Sequence, residues 1–378
     1  MRHRLCILHW MPVEDFPPAM NMVKYFGQQH DWEVSLCTNR HHLDRPEFLH
    51  ETGEVIRGVF PTGTSGIRRL LAYASFHLKS FVHLMKTRPD TILYIEPHSV
   101  FPVVLSRLFT RRARIFAHFH EYHSPDEYEK PGMRMARWFH KLEKRWVFPK
   151  VAWISQTNLQ RLELFLRDNP EIDKSRAQVL SNFPPLCWWQ TQNQAWSKNN
   201  RADEPIRFVY VGALSRADTF IEETVIWIAQ LGPLKASLDI YCYNMHPETR
   251  EWLRTVADKQ IRVHESGIAY EELPGLLSEF HVGLILYKGN TPNYVHNASN
   301  KLFEYLSCGL DVLYPFQMAG VRPYRISARV PRVVECDFSN LTELTYTREG
   351  RTTLQPLSQL YDCESEYERL ALQMTGAY

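Results

Sequence analysis

The sequence predicts an α/β protein built from two parallel sheets wrapped by helices, and three observations carry that reading. Short apolar runs alternate with helix-length periodic segments through most of the chain, which is the pattern of parallel strands joined by crossover helices. The 378 residues suit two domains at roughly 150 residues each. A hydrophilic stretch over residues 190–204 interrupts the alternation, offers little that could be buried and closes at Pro205, as an interdomain connection does.

In the first half, strands are expected at 5–10, 33–37, 91–95, 114–119, 151–155 and 178–180. Helices fall between them at 18–29, 67–85, 100–109, 134–148 and 157–167. The first opens on Pro17 and Pro18, where a missing N–H costs nothing. After the hydrophilic stretch the alternation restarts, with strands at 206–211, 237–241, 261–264, 282–286 and 311–314 and helices at 219–230, 247–258, 270–279 and 299–308. This predicts two Rossmann-like domains, 1–186 and 206–350, joined by a link over 187–205. The last segment has helical periodicity in Leu357, Leu360, Tyr361, Tyr367, Leu370 and Leu372. It follows a finished sheet, so 351–378 is expected to pack on the N-terminal domain.

Composition excludes several classes. Lys plus Arg (44) nearly cancel Asp plus Glu (42), so no global field favours nucleic acid. Apolar residues at 44% exclude intrinsic disorder and collagen-like or coiled-coil chains. No apolar run is long enough to span a bilayer, and the short one before Pro12 predicts no secretory leader. The seven cysteines are scattered and never in C-x-x-C spacing, which argues against a disulfide framework or a zinc knuckle and predicts a reducing cytoplasm. No metal site and no cofactor are expected. His9-Trp10-Met11-Pro12 stands where a dinucleotide-binding protein has G-x-G-x-x-G, and P-loop, nucleophile-elbow and H-E-x-x-H motifs are absent. Aromatics at 13% and 17 histidines are left to explain.

The strongest chemical signal is Asn297-Ala-Ser-Asn-Lys-Leu-Phe-Glu-Tyr-Leu-Ser-Cys-Gly-Leu-Asp-Val-Leu-Tyr-Pro315. Asn297 or Ser299 can cap a helix, and Gly309 can end it in the left-handed conformation. Lys301, Glu304 and Cys308 share one face. A lysine in the first turn opposes the helix dipole, and a bound phosphate would reconcile the two by accepting the free N–H groups and the Lys charge together. Glu304, one turn deeper, could then accept from ribose hydroxyls. A solvated Lys/Glu pair is the plainer alternative.

The 301–312 segment resembles the nucleotide-sugar-binding motif of family 4-like glycosyltransferases, which have the GT-B fold. Phe208-Val-Tyr-Val-Gly-Ala-Leu-Ser-Arg216 resembles the strand and glycine loop that opens their donor domain. Ser266-Gly-Ile-Ala-Tyr-Glu-Glu-Leu273 resembles the loop beside the base, and Val282-Gly-Leu-Ile-Leu-Tyr287 the strand before the donor loop. Trp153-Ile-Ser-Gln and Val179-Leu-Ser-Asn-Phe-Pro184 resemble the last strands of the acceptor domain, so the likeness covers residues 5 to 335. Three positions depart from it. His296 occupies the place of the first carboxylate of E-x7-E, Pro17-Pro18 replace a glycine pair, and only Arg216 stands near the usual phosphate-clamping basic residues.

The resemblance implies two Rossmann-like domains facing each other across a cleft, with the donor in the second. Gly267 and Ile268 would hold the base, Glu304 the ribose, and Ser299, Asn300, Lys301 and Arg216 the diphosphate, with Gly212 and Ser215 shaping the glycine loop. It implies transfer from a UDP- or GDP-linked sugar to a hydroxyl of a glycan or lipid-linked acceptor, with retention and without a metal. Catalysis would rest on Arg216, Lys301 and His120. In an inverting enzyme Asp15 or Glu14, after the first strand, could instead be a general base, against the alternative of an ordinary solvated loop. His98, His120 and Glu121 are expected to line the acceptor or donor-sugar pocket, against the alternative of ordinary polar loop residues. His118-x-His120-Glu121-x-His123 could also be read as a metal site, but strand alternation separates its members. The basic, Trp-bearing segment around Arg134, Arg137, Trp138, Lys141, Lys144, Arg145 and Trp146, preceded by Arg111, Arg112 and Arg114, suits anionic headgroups on the inner face of a membrane or a solvated basic face. A nucleotide-sugar epimerase and a degenerate nucleotide-binding scaffold are the rival readings.

Overall fold

The computed structural model describes residues 2–40, 48, 53–59, 66–110, 112–189, 204–242, 244–348 and 354–376. They form two units, Met1–Asn182 with Cys363–Tyr378, and Phe183–Asp362. Most of the hydrophilic stretch, and Arg111 of the basic region, lie outside the described residues.

The first unit is built on β1 (His3–His9), β2 (Trp32–Arg40), β3 (Glu54–Val59), β4 (Thr91–Ile95), β5 (Arg114–Phe119), β6 (Trp153–Gln156) and β7 (Ala177–Val179). All seven run parallel in the order β3-β2-β1-β4-β5-β6-β7. β4 is buried end to end and β5 in all but its first residue, as parallel strands covered on both faces must be. The crossovers are α1 (Pro17–Gln28), α2 (Gly66–Thr87), α3 (Val100–Phe109), the single turn α4 (Pro125–Tyr128), α5 (Arg134–Leu142) and α6 (Leu159–Asp168). β3 escaped sequence reading because it is a half-exposed edge strand. The helix expected over 134–148 is a composite. α5 passes into a π turn at Glu143–Val147 and a 3-10 turn at Phe148–Lys150, where Pro149 cannot extend the ladder.

The second unit carries β8 (Ile206–Val211), β9 (Ala236–Tyr241), β10 (Ile261–His264), β11 (Val282–Leu284), β12 (Asp311–Pro315), β13 (Arg329–Val330), β14 (Val333–Cys336) and β15 (Gln355–Pro356). Six of them form one parallel sheet in the order β10-β9-β8-β11-β12-β14, and β13 pairs with β15. The Asn300–Ser307 helix lies against this sheet through Tyr305. Its ring covers Gly283 so closely that a Cβ there would fall 2.2 Å from it, and Val211 N donates to its hydroxyl at 3.1 Å.

Two boundaries differ from the sequence reading. Trp188 and Trp189, placed in the link, are buried in the second unit's core after the 3-10 turn Leu186–Trp188, because two indoles hold too much apolar surface to stay in water. The last helix spans only Cys363–Thr375; Leu357 and Tyr361 instead pack into the second unit's core. That helix is fastened within the first unit. Tyr367 OH donates to Pro18 O at 2.8 Å, Ser181 N donates to Glu366 Oε2 at 3.0 Å, and Arg114 Nη1 donates to the Gln373 and Met374 carbonyls.

Candidate functional site

In both sheets the strand order reverses beside the first strand, between β1 and β4 in one and between β8 and β11 in the other. Such a switch point leaves a crevice beyond the carboxyl ends of the strands, where ligands of open α/β sheets bind. The candidate residues fall at these two places.

In the second unit, β8 ends at Gly212, whose φ is +133°. Lys301, in the first turn of the Asn300–Ser307 helix, lies over that glycine. A Cβ at position 212 would meet Lys301 Cε at 2.6 Å and Nζ at 2.8 Å, so the lysine needs a residue without a side chain. Lys301 Nζ donates to Tyr287 OH at 3.0 Å and stands 5.2 Å and 5.8 Å from the centroids of the Tyr287 and Tyr210 rings. An aromatic cradle therefore fixes the ammonium beyond β8 and β11. Ser299 is the N-cap, is 4% exposed and makes no side-chain cap bond. Glu304, 8% exposed, sits one turn on from Lys301. Burial pushes its carboxyl up to about 7, against the opposing pull of Lys301.

The other donor-side candidates are spread around this centre. Ser215 is buried, and its carbonyl accepts from Thr219 N at 2.9 Å and Thr219 Oγ1 at 2.6 Å. The Arg216 guanidinium is held by Glu222 at 2.9 Å and lies 4.9 Å over the Trp252 ring. Gly267 is a turn residue with φ +66°, and Ile268 packs against the core. Both follow β10, two places along the sheet from β8. Beside them the Tyr241 and His264 rings stack at 4.1 Å and 2°.

In the first unit, β1 ends in His9, and β5 runs on into His120. The His120 ring is 4.6 Å from that of His118, 6.1 Å from His9 and 5.8 Å from Phe16. Burial pushes His120 down to about 4, with Arg161 adding to the effect and Asn182 opposing it, and pushes His9 and His118 well down too. Burial thus favours the uncharged form of all three rings. Both ring nitrogens of His9 are buried without a hydrogen bond, whereas His118 Nδ1 is satisfied by Ser155 Oγ at 2.7 Å. Arg161, 2% exposed, donates to the His120 carbonyl at 2.7 Å.

Sequence reasoning missed Glu96. It closes β4 with φ +63°, a conformation that non-glycine residues adopt only under constraint. The constraint is visible: its carboxylate accepts from His120 N at 2.8 Å and Glu121 N at 3.1 Å, and burial pushes it up to about 7. The only signal in the chain was a carboxylate directly ending an apolar strand, Ile92-Leu-Tyr-Ile-Glu96. Tyr210, on β8, and Tyr287, in the loop after β11, were missed as lysine-cradling residues because they are far apart in the chain.

The structure does not bring the side chains of the remaining candidates to the His120 ring. Glu14 is locked in a buried ion pair with Arg57 at 2.7 Å and accepts from Phe48 N at 2.8 Å, which removes it as a general base. Asp15 ends the adjoining 3-10 turn. The His98 ring stacks on Tyr73 at 6.0 Å beside Phe139, and burial pushes it down to about 4. The Glu121 carboxylate is exposed, 3.6 Å from His123 Nε2.

No family model matches the chain, and no curated protein matches it. Solved structures do. Sucrose-phosphate synthase from Thermosynechococcus elongatus is 15% identical with a TM-score of 0.70, covering 100% of both chains. HepE from Anabaena, solved in complex with UDP-glucose, is 12% identical with a TM-score of 0.69 over 99% of each. UDP-GlcNAc 2-epimerase from Methanocaldococcus jannaschii is 12% identical with a TM-score of 0.55, over 99% of this chain and 100% of that one. Two parallel sheets of seven and six strands in these orders, together with the likeness to these proteins, give this chain the GT-B fold of two Rossmann-like domains.

Proposed function

We propose that the chain is a glycosyltransferase that moves a sugar from a nucleotide-sugar to a hydroxyl of a glycan or lipid-linked acceptor, of the kind used in surface polysaccharide assembly. The observation that carries the proposal is Lys301 held over Gly212 by two tyrosines, with buried Glu304 one turn away. A fixed ammonium at a helix N-terminus is suited to a diphosphate, and a recessed carboxylate to paired ribose hydroxyls. HepE, which shares the fold, was solved with UDP-glucose, which supports a UDP-linked donor.

In this reading Lys301 and the first turn of its helix stabilise charge on the departing diphosphate. Arg216 joins them by leaving Glu222. A leaving-phosphate oxygen takes the acceptor proton, the anomeric configuration is retained, and no metal or glycosyl-enzyme carboxylate takes part. In the first unit His120, whose backbone N–H donates to Glu96, is suited to orienting acceptor hydroxyls. Among the described residues no helix is long and apolar enough to cross a membrane. The basic segment presents Trp138 and Trp146 at 45% and 49% exposure, as a surface for anionic headgroups would.

Nucleotide release from UDP-, GDP-, ADP- and CMP-sugars, followed with and without lipid-linked acceptors, tests the proposal. Acceptor-dependent release is expected. Sugar interconversion without acceptor would identify an epimerase instead, and binding without release under every condition a scaffold.

A further inference from the structure

Outside both switch points the first unit gathers three metal-ligating side chains from three separate elements. β1 and β2 pair in the register Cys6 with Ser35 and Leu8 with Cys37, which puts Cys6 and Cys37 diagonally on one face of the sheet. α2 covers that face with His83. The ligand atoms of Cys6, Cys37 and His83 all lie within 4.8 Å of one another, and this is the one such group among the described residues. Cys6 and Cys37 are fully buried, and His83 is 5% exposed.

Two further facts indicate that the group is built to hold something. His83 interacts with the Cys6 thiol and Ser80, one turn earlier on α2, with the Cys37 thiol; His83 Nε2 and the Ser80 hydroxyl are buried and have no oxygen or nitrogen partner. Buried polar atoms of that kind are rare in native proteins and ask for a partner. His83 Nδ1 faces Glu54 Oε2 at 3.8 Å, the arrangement in which an outer carboxylate orients a ligating imidazole.

We propose that Cys6, Cys37 and His83 bind a thiophilic divalent cation, Zn2+ by chemistry, at a structural site that clips β1, β2 and α2 together. Two thiolates and a neutral imidazole are the soft and borderline donors that such an ion selects. Each thiol gives up its proton to solvent as its metal–sulfur bond forms, and two thiolates cancel the charge of a divalent ion, so no net charge is buried. Spacing along the chain conceals the set, because the register of two strands and one helix assembles it. The inference is independent of the proposed transferase activity.

The test uses the full chain, stripped with a chelator and titrated with Co2+ and then Zn2+. One equivalent should bind, with a thiolate-to-cobalt band in the near-ultraviolet, release of two protons per ion in weak buffer, and replacement of cobalt by zinc. At about 100-fold over Kd, Zn2+ should raise the Tm by roughly 5–10 °C. Cys6→Ser combined with Cys37→Ser, and His83→Gln separately, should abolish the band, whereas Cys308→Ser should keep it. Absence of stoichiometric binding to the wild-type chain, binding that persists in the double variant, or a Cys6–Cys37 disulfide in protein purified under reducing conditions would overturn the proposal. The proton count and the band are read on the wild type, so they decide even if a variant fails to fold.

Discussion

Lys301 crowds the open side of Gly212: a Cβ at position 212 would stand 2.8 Å from the ammonium nitrogen and 2.6 Å from Cε. The glycine is at φ +133°, so a side chain there meets both backbone strain and the lysine. Gly212→Ala should lower stability by about 1–3 kcal/mol and weaken nucleotide binding by displacing Lys301. Denaturant unfolding and UDP titration on the same sample measure the two effects.

Lys301→Ala should leave the fold intact while reducing affinity for UDP roughly 10–100-fold, the range for losing a hydrogen bond to a charged group. Unchanged affinity by calorimetry would remove the lysine from the diphosphate site.

Glu304 makes stability depend on pH. Its carboxyl is pushed from the ordinary 4.5 to about 7 by burial, so the folded chain holds a proton that the unfolded chain has released. The contribution is fully present below the unfolded value and is lost as pH rises through about 7. Glu304→Gln should flatten that part of the profile in unfolding series between roughly pH 5 and pH 8. A carboxylate accepts from ribose hydroxyls better than a carboxyl does, so UDP affinity of the wild type should rise across the same interval. A flat affinity profile would count against ribose on Glu304.

Glu14 and Arg57 form a buried pair with both side chains 8% exposed. Removing one partner strands the other, so Arg57→Met should destabilise the first unit by about 3–5 kcal/mol. Thermal unfolding of the variant checks the size.

Tyr305 and Gly283 set the seat of the helix that carries Lys301 and Glu304. Gly283→Ala would place a methyl 2.2 Å from the tyrosine ring. It should weaken UDP binding without touching a residue proposed to contact the nucleotide. A crystal structure of the variant with the helix unmoved would contradict this.

Much of the architecture was legible in the chain. Parallel strands buried on both faces read as plain apolar runs, and β4, β5, β8 and β10 lie where those runs do. β3 was not legible because its pattern is half-exposed, and the π turn after α5 was hidden because its residues keep helical periodicity. The Trp188-Trp189 pair misled through its neighbours, since the polar stretch that follows it blurred an apolar anchor into a link.

Local periodicity and spacing were enough to read the two-sheet α/β plan, the glycine loop after β8 and the unusual lysine and glutamate on one helix face. Tertiary structure decided everything that depends on pairing register and on which strands are neighbours. It put Lys301 on Gly212 and Tyr287, tied Glu96 to the backbone of His120 and Glu121, turned Glu14 toward Arg57, and brought Cys6, Cys37 and His83 together. Contacts across 14 to 89 positions are invisible in a linear pattern, because strand order and register exist only once the sheet is formed.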